Sequence, residues 1–293
     1  MISSPLVSIV VPFRDQGDYL IQAAHSLRSQ TFPCWECLLV DDNSQAYARS
    51  CAQWLVRTDP RFRLLSIVDK LHAPGPWCAR NVGIASARAS LIAFLDADDL
   101  WHPCKLERQL PLHLDHAIEI SVTAYHRFVD SSHQLIETRC PPTGLSYRQL
   151  LRGNVIPLST VVVQRSWLED PFRPERHEDY GLWLRLFERM PPPAYGLIRE
   201  PLMAYRLHST SLSAQRGRSI VAVERLFRRH APSAWNRSLL VARWALARGC
   251  GFLVARMNRR LAPSQLLPEA FAASLSAQGM AASASGRPPH VLP

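Results

Sequence analysis

The chain has 293 residues, 47% of them apolar, enough to bury a sizeable core in one large domain or two ordinary ones. Its net charge of +10 points first to a nucleic-acid binder, but the charge is unevenly placed. Up to Ser213 there are 22 basic and 22 acidic residues; from Ala214 onward 12 Arg face only Glu224 and Glu269. A neutral body therefore precedes a basic appendage.

In chain order, Val7 to Val11 is a β-branched run ended by Pro12, apolar on both faces like a buried parallel strand. Asp18 can cap a helix that carries Leu20, Ala23, Ala24 and Leu27. Cys37 to Val40 is a second strand, ending in Asp41-Asp42-Asn43-Ser44. A helical stretch leads to a third strand, Arg63 to Ile67, and Gly75-Pro76 opens a helix bearing Arg80 and Asn81. Leu91 to Leu95 is a fourth strand, ending in Asp96-Ala97-Asp98-Asp99, and Pro103 starts a helix through about His113. Alternation of strand and helix predicts βαβ units and a mostly parallel sheet with helices on both faces. Ligands gather at the C-terminal strand ends of such sheets. Here those ends carry five carboxylates, which a divalent cation and a polyhydroxyl ligand would satisfy.

Beyond residue 114 the pattern changes to short strands (Ile120 to Ala124, Val161 to Gln164) among Pro-rich loops. His177-Glu178-Asp179-Tyr180 opens an amphipathic helix, and Tyr205-Arg206-Leu207-His208 follows. Ser219 to Arg229 reads as a second amphipathic helix, and Ser238 to Arg260 is apolar but poorly segregated. Ala272 to Pro293 is rich in Ala, Ser and Pro and is expected to lack structure. The most apolar window, Leu239 to Met257, contains three Arg, so no spanning helix is expected, and the N-terminus lacks a signal-peptide pattern. Seven cysteines argue for reduced thiols in a cytoplasmic setting. The lone Cys34/Cys37 pair reads as two small side chains at a strand edge rather than a zinc site.

Seven segments together resemble glycosyltransferase family 2, the inverting enzymes of GT-A fold. They are Val7 to Phe13, Ser29 to Phe32, Leu39 to Ser44, Ala79 to Gly83, Phe94 to Asp99, His177 to Arg185 and Tyr205 to Ser213. A lone DxD motif carries little information, but the ordered set is specific and spans the neutral body. The resemblance implies an α/β fold of GT-A type over 1–213, Rossmann-like with a mostly parallel central sheet, followed by a helical extension over 214–271 and the tail 272–293. Its nucleotide-binding part covers about 1–114 and its acceptor part 115–213.

The same resemblance implies the chemistry. Asp98 ligates Mg²⁺ or Mn²⁺, with Asp96 at the ribose or the metal and Asp99 supporting both. A hard cation on carboxylates can hold a donor diphosphate and stabilise its departure. Asp42, then Asp41, contacts a uracil base beside Pro12, which makes a UDP-sugar the first expectation for the donor. Arg80 lies near the diphosphate. Asp179, with Glu178 second, is the base that deprotonates the acceptor hydroxyl; capping of the helix is the other use of such a pair. His208 is either a further metal ligand or a partly buried structural residue, and a phosphate contact from Arg206 or His208 is equally open. Trp101 and Trp183 could border the acceptor cleft, with core packing the stronger reading for Trp183.

The acceptor is expected to be a glycan or a lipid-linked glycan of the cell envelope. Residues 214–260 suit either an anionic membrane surface, at the inner face of the membrane, or packing on the body or a second subunit. Two rivals remain: a nucleotide-sugar-binding protein without catalysis, and a nucleic-acid binder using the basic tail. The second lacks any helix-turn-helix, zinc or RNP signature, so no nucleic-acid partner is expected.

Overall fold

Every residue of β1 (Val7–Phe13) is buried, as expected of a strand apolar on both faces. It pairs in parallel with β2 (Trp35–Asp41) on one edge and β4 (Leu91–Phe94) on the other, and β3 (Phe62–Ser66) adds to β2. The crossovers are α1 (Gly17–Arg28), α2 (Ala46–Thr58) and α3 (Pro76–Ser86). Leu20, Leu27, Ala48 and Leu55 cover one sheet face with Ile9 and Leu39, while Ala79 and Ile84 of α3 cover the other with Val10 and Val40. Gly83 permits that second contact, since a Cβ there would lie 2.4 Å from Val10 Cγ1. This computed structural model describes residues 4–67, 75–115, 118–190, 194–208, 216–231, 233–246 and 265–277.

After β4 come β5 (Leu100–Trp101), α4 (Lys105–Asp115), β6 (Ile120–Val129), β7 (Leu135–Arg139), α5 (Tyr147–Leu150) and β8 (Val162–Gln164). Then follow α6 (Glu178–Arg189), β9 (Tyr195–Leu207), α7 (Arg216–Phe227), α8 (234–246) and α9 (Glu269–Leu275). The nine strands form one sheet in the order β3-β2-β1-β4-β8-β6-β9-β5, with β7 beside β6. The expected parallel pattern holds from β3 to β4, but the sheet as a whole is mixed: β8 runs antiparallel between β4 and β6, and β5 runs antiparallel to β9. No helix long enough to force a same-direction crossover lies between β6 and β8, so that half can reverse. β6 and β9 are again parallel to each other, and so to β4.

Other boundaries shift modestly. β6 continues five residues past Ala124, and α4 starts at Lys105 and runs on to Asp115 with Pro111 inside it. The basic appendage is partly built into the body. Val223, Leu226 and Phe227 of α7 and Trp244 of α8 share a core with Tyr180, Leu182 and Trp183. The stretch expected to lack structure, 272–293, begins inside α9: Leu275 and Ala277 are buried, and Phe271 just before it packs with Leu100, Phe128 and Ala204. A short run of apolar side chains at helical spacing sufficed for docking where composition alone argued against it. Residues 278–293 of that stretch, 247–260 of the apolar stretch and 209–213 of the last family-like segment lie outside the described residues. No disulfide joins the described cysteines, and no described helix is long and apolar enough to cross a membrane.

Candidate active site

Strands β1, β2, β4, β6 and β9 all run the same way, so their C-terminal ends meet at one edge of the sheet. That edge receives Pro12, the Asp41/Asp42 pair, Asp96, Asp130 and His208. Because β8 is reversed, its N-terminal approach, residues 158–160, arrives at the same edge.

The loops after β1 and β2 are tied together. Asp15, at φ 54°, accepts from Gln45 N at 2.6 Å while its own N–H donates to Ser44 Oγ. The two neighbouring aspartates then part ways. Asp41 closes the turn by accepting from Ser44 N at 2.8 Å and pairing with Arg49 at 3.2 Å. Asp42 is buried beside it, and burial pushes its carboxyl up despite Arg14 and the Gly75 N–H. Asp42 is thus the member of the pair that turn formation leaves for a ligand.

Arg80 rises from the second turn of α3 and is buried, its side chain 6% exposed. Its guanidinium forks: Nη2 donates to Asp96 Oδ1 at 2.7 Å and Nη1 to Glu178 Oε1 at 2.5 Å. Phe172 lies under it, 5.4 Å from the guanidinium carbon, in a loop that Asn81 pins through two hydrogen bonds. One side chain therefore links the β4 end to the start of α6.

Asp179 follows Glu178 but has neutral donors. Asn154 Nδ2 donates to its Oδ2 at 2.8 Å, and the Tyr180 N–H adds a backbone bond. Burial raises the carboxyls of both Glu178 and Asp179, with Arg80 opposing. The difference is contact: Glu178 is locked in an ion pair, whereas Asp179 is not.

The remaining aspartates of the DxD stretch are also sorted. Asp98 Oδ2 lies 2.8 Å from His208 Nε2, and this contact holds the imidazole above its ordinary pKa. Asp99 points inward and accepts from Ser159 Oγ at 2.6 Å and Arg206 N at 3.2 Å, with its carboxyl pushed well up by burial. Ser159 Oγ also accepts from Asp96 N at 3.0 Å, so one hydroxyl braces both ends of the motif. Arg206 donates to Asp98 O, Gln22 Oε1 and Asp130 Oδ1, and Tyr19 donates to Asp130 Oδ2.

Asp98 and His208 offer one carboxylate and one imidazole on a partly open face, while Asp96 is turned to Arg80. No group of three or more metal-ligating side chains gathers among the described residues. One hard carboxylate beside one borderline imidazole fits Mn²⁺ and, through the carboxylate, Mg²⁺, ions that fill their remaining positions with phosphate and water.

The expected residues thus fall at one sheet edge. Trp101 and Trp183 do not border an open cleft: both are buried, with their indole N–H groups on Ser159 O and Ile156 O. Sequence reasoning misses Ser159, Asn154, Asp130 and Tyr19; Arg206, a candidate phosphate contact, is instead buried with its guanidinium on Asp98 O, Gln22 and Asp130. Asp130 alone had a usable signal, a carboxylate at a strand end, hidden because the strand was read as ending at Ala124.

Comparison with known proteins agrees with this geometry. Residues 8–165 match Glycosyl transferase family 2. The chain is 30% identical over 214 residues (72% of this chain, 83% of the relative) to a putative teichuronic acid biosynthesis glycosyltransferase, TuaG, of Bacillus subtilis. It is 32% identical over 184 residues (62% and 70%) to an Escherichia coli UDP-Glc:alpha-D-GlcNAc-diphosphoundecaprenol beta-1,3-glucosyltransferase, WfgD. In fold it is similar to S. aureus TarS in complex with UDP-GlcNAc, at TM-score 0.61, 14% identity and 82% and 71% coverage. It is also similar to glucosyl-3-phosphoglycerate synthase from Mycobacterium tuberculosis with Mn²⁺ and UDP, at 0.57, 19%, 77% and 80%. The chain belongs to glycosyltransferase family 2 and is a glycosyltransferase of GT-A fold.

Proposed function

We propose that this glycosyltransferase inverts configuration as it moves a hexosyl or N-acetylhexosaminyl group from a UDP-sugar to a hydroxyl of a lipid-linked glycan at the inner face of the membrane. The observation that carries this reading is the Arg80 fork. By engaging Glu178 and Asp96 in ion pairs, it leaves Asp179 as the carboxylate at the start of α6 that is free of a cationic contact and can accept a proton.

Asp42 receives the uracil N–H, because an ionised carboxylate is a strong acceptor and Asp41 is committed to its turn. Pro12 lies against the base, and Asp96 faces the ribose. Asp98, with His208, holds Mg²⁺ or Mn²⁺; the bound ion supplies Lewis-acid stabilisation of charge on the diphosphate. Asp179 takes the acceptor proton as that oxygen attacks the anomeric carbon from the face opposite the nucleotide. The new glycosidic bond forms as the sugar–phosphate bond breaks, and the electron pair leaves on UDP. Asn154 orients Asp179, and its raised carboxyl pKa makes it a better base than a solvated aspartate.

The lipid-linked acceptor and the UDP donor are supported by the activity for which the E. coli relative is named and by the UDP complexes of the fold neighbours. Release of UDP tests the whole reading. With Mn²⁺ and a panel of UDP-sugars, release should rise when a diphospholipid-linked sugar is added and stop on chelation. No acceptor-dependent release from any UDP-sugar would overturn it.

A further inference from the structure

We infer that the outward face of α8 is a docking surface for an anionic lipid bilayer, one that sets the acceptor side of the active site against the membrane. α8 has two apolar faces. The inner one, with Leu240, Val241 and Trp244, packs into the body core. The outer one carries Trp235, Leu239 and Leu246 at helical spacing, exposed by 79%, 51% and 67%. Among the described residues, none buries that outer stripe. Exposed Trp and Leu along one side of a surface helix suit the boundary between headgroups and acyl chains.

Charge selects the occupant. Arg243 is exposed on the same face of α8 and Arg225 on α7, while Glu224 of α7 pairs with Arg228 at 3.1 Å and joins α7 to α8 through Arg237 at 3.5 Å. From Ala214 onward the chain carries 12 Arg and 2 Glu, so a second copy on this face would bring like charge to like charge. Anionic headgroups meet the same surface with attraction.

Position links the surface to the reaction. The ring of Trp244, on the inner side of α8, lies tilted against that of His177, the residue before Glu178 and Asp179, with centroids 6.4 Å apart. It also lies against Gly153, the residue before Asn154: a Cβ there would be 3.9 Å from its Cδ1. A helix seated in the bilayer surface through its outer stripe therefore borders the residues that hold the proposed base. The link to acceptor delivery rests on the lipid-linked acceptor proposed above; the docking itself does not.

The test is sedimentation of the full chain at low salt with vesicles of phosphatidylcholine alone and of phosphatidylcholine with equimolar phosphatidylglycerol. Binding is expected to the second only and to weaken as salt rises. Trp235→Ser with Leu239→Ser should cut partitioning by about tenfold or more, and Arg243→Glu by a few-fold. These side chains are largely exposed, so thermal melts and UDP release with a soluble acceptor analogue should match the unaltered chain. Leu246→Ser, on the same stripe, provides an independent variant. The inference is overturned if the unaltered chain stays in the supernatant with both vesicles or if the double variant binds equally. It is likewise overturned if light scattering shows a dimer that the double variant converts to monomer. Vesicle binding needs no substrate, so its failure is distinct from absence of UDP release, which would count against the proposed reaction.

Discussion

On the β3-β2-β1-β4 side, strands point one way and are joined by helices, so strand ends alone deliver Pro12, Asp42 and Asp96 to one edge. On the β8-β6-β9 side, the chain reverses at β8, and the groups arrive by a different route. Ser159 comes from the approach to a reversed strand, and Glu178 and Asp179 from a helix start. The first side is set by local pattern and the second by contacts between residues far apart in sequence. Arg80 belongs to the first side and reaches into the second, spanning 98 residues to Glu178.

Removing that link is the severest way to break the comparison. Arg80→Ala leaves the largely buried Glu178 and the half-buried Asp96 without their cation. It should cost about 3–5 kcal/mol of stability by thermal or urea unfolding, and turnover at permissive temperature should fall about 100-fold. If instead the variant unfolds like the unaltered chain, the two sides are not joined through this residue.

A smaller effect probes the reversed strand. Ser159→Ala removes the hydroxyl that braces Asp96 N and Asp99. A loss of about 1–3 kcal/mol in urea unfolding is expected, with a lower turnover number and little change in donor KM.

The parallel side is sharpened by separating its neighbouring aspartates. Asp42→Asn should raise the KM for a UDP-sugar about tenfold with turnover nearly kept. Asp41→Asn should instead lower the melting temperature, since that side chain holds Ser44 N and Arg49, and leave donor KM close to its starting value. Equal effects on donor KM would erase the distinction between them.

The mildest probe is pH. Burial raises the Asp179 carboxyl, and the base must be ionised, so kcat/KM should fall off on the acid side at a higher pH than for a solvated aspartate. The sign for stability is opposite. A raised carboxyl pKa favours the protonated fold, so this group's contribution is full below its unfolded value and is lost as pH rises through the folded one. Asp179→Asn, neutral at every pH, should therefore melt at a higher temperature than the unaltered chain near pH 7.

These contrasts explain what the sequence made legible. Strand-end carboxylates after β2 and β4 could be read because a parallel sheet has only one place to put them. The Glu178-Asp179 start of α6 was readable as a motif, yet choosing between its members needed Arg80, which pairs with one only. Ser159 and Asn154 left no trace in spacing, and the role of Arg206 could not be read from its segment: their partners lie 60, 25 and 107 residues away. Asp130 was lost to a strand boundary, since apolar alternation weakens after Ala124 while pairing with β9 carries β6 on to Val129. The tail misled for a related reason. Its composition argues against a core of its own, but Leu275, beside Phe271 of the preceding stretch, borrows one from β5, β6 and β9.

The central claim is that Asp179 is the base while Glu178 is held by Arg80, and paired measurement of donor affinity and turnover in Asp179→Asn tests it most directly. UDP-sugar should bind within about threefold of its normal affinity, while acceptor-dependent UDP release falls about 1,000-fold or more. Near-normal turnover in Asp179→Asn, with the loss appearing in Glu178→Gln instead, would contradict it.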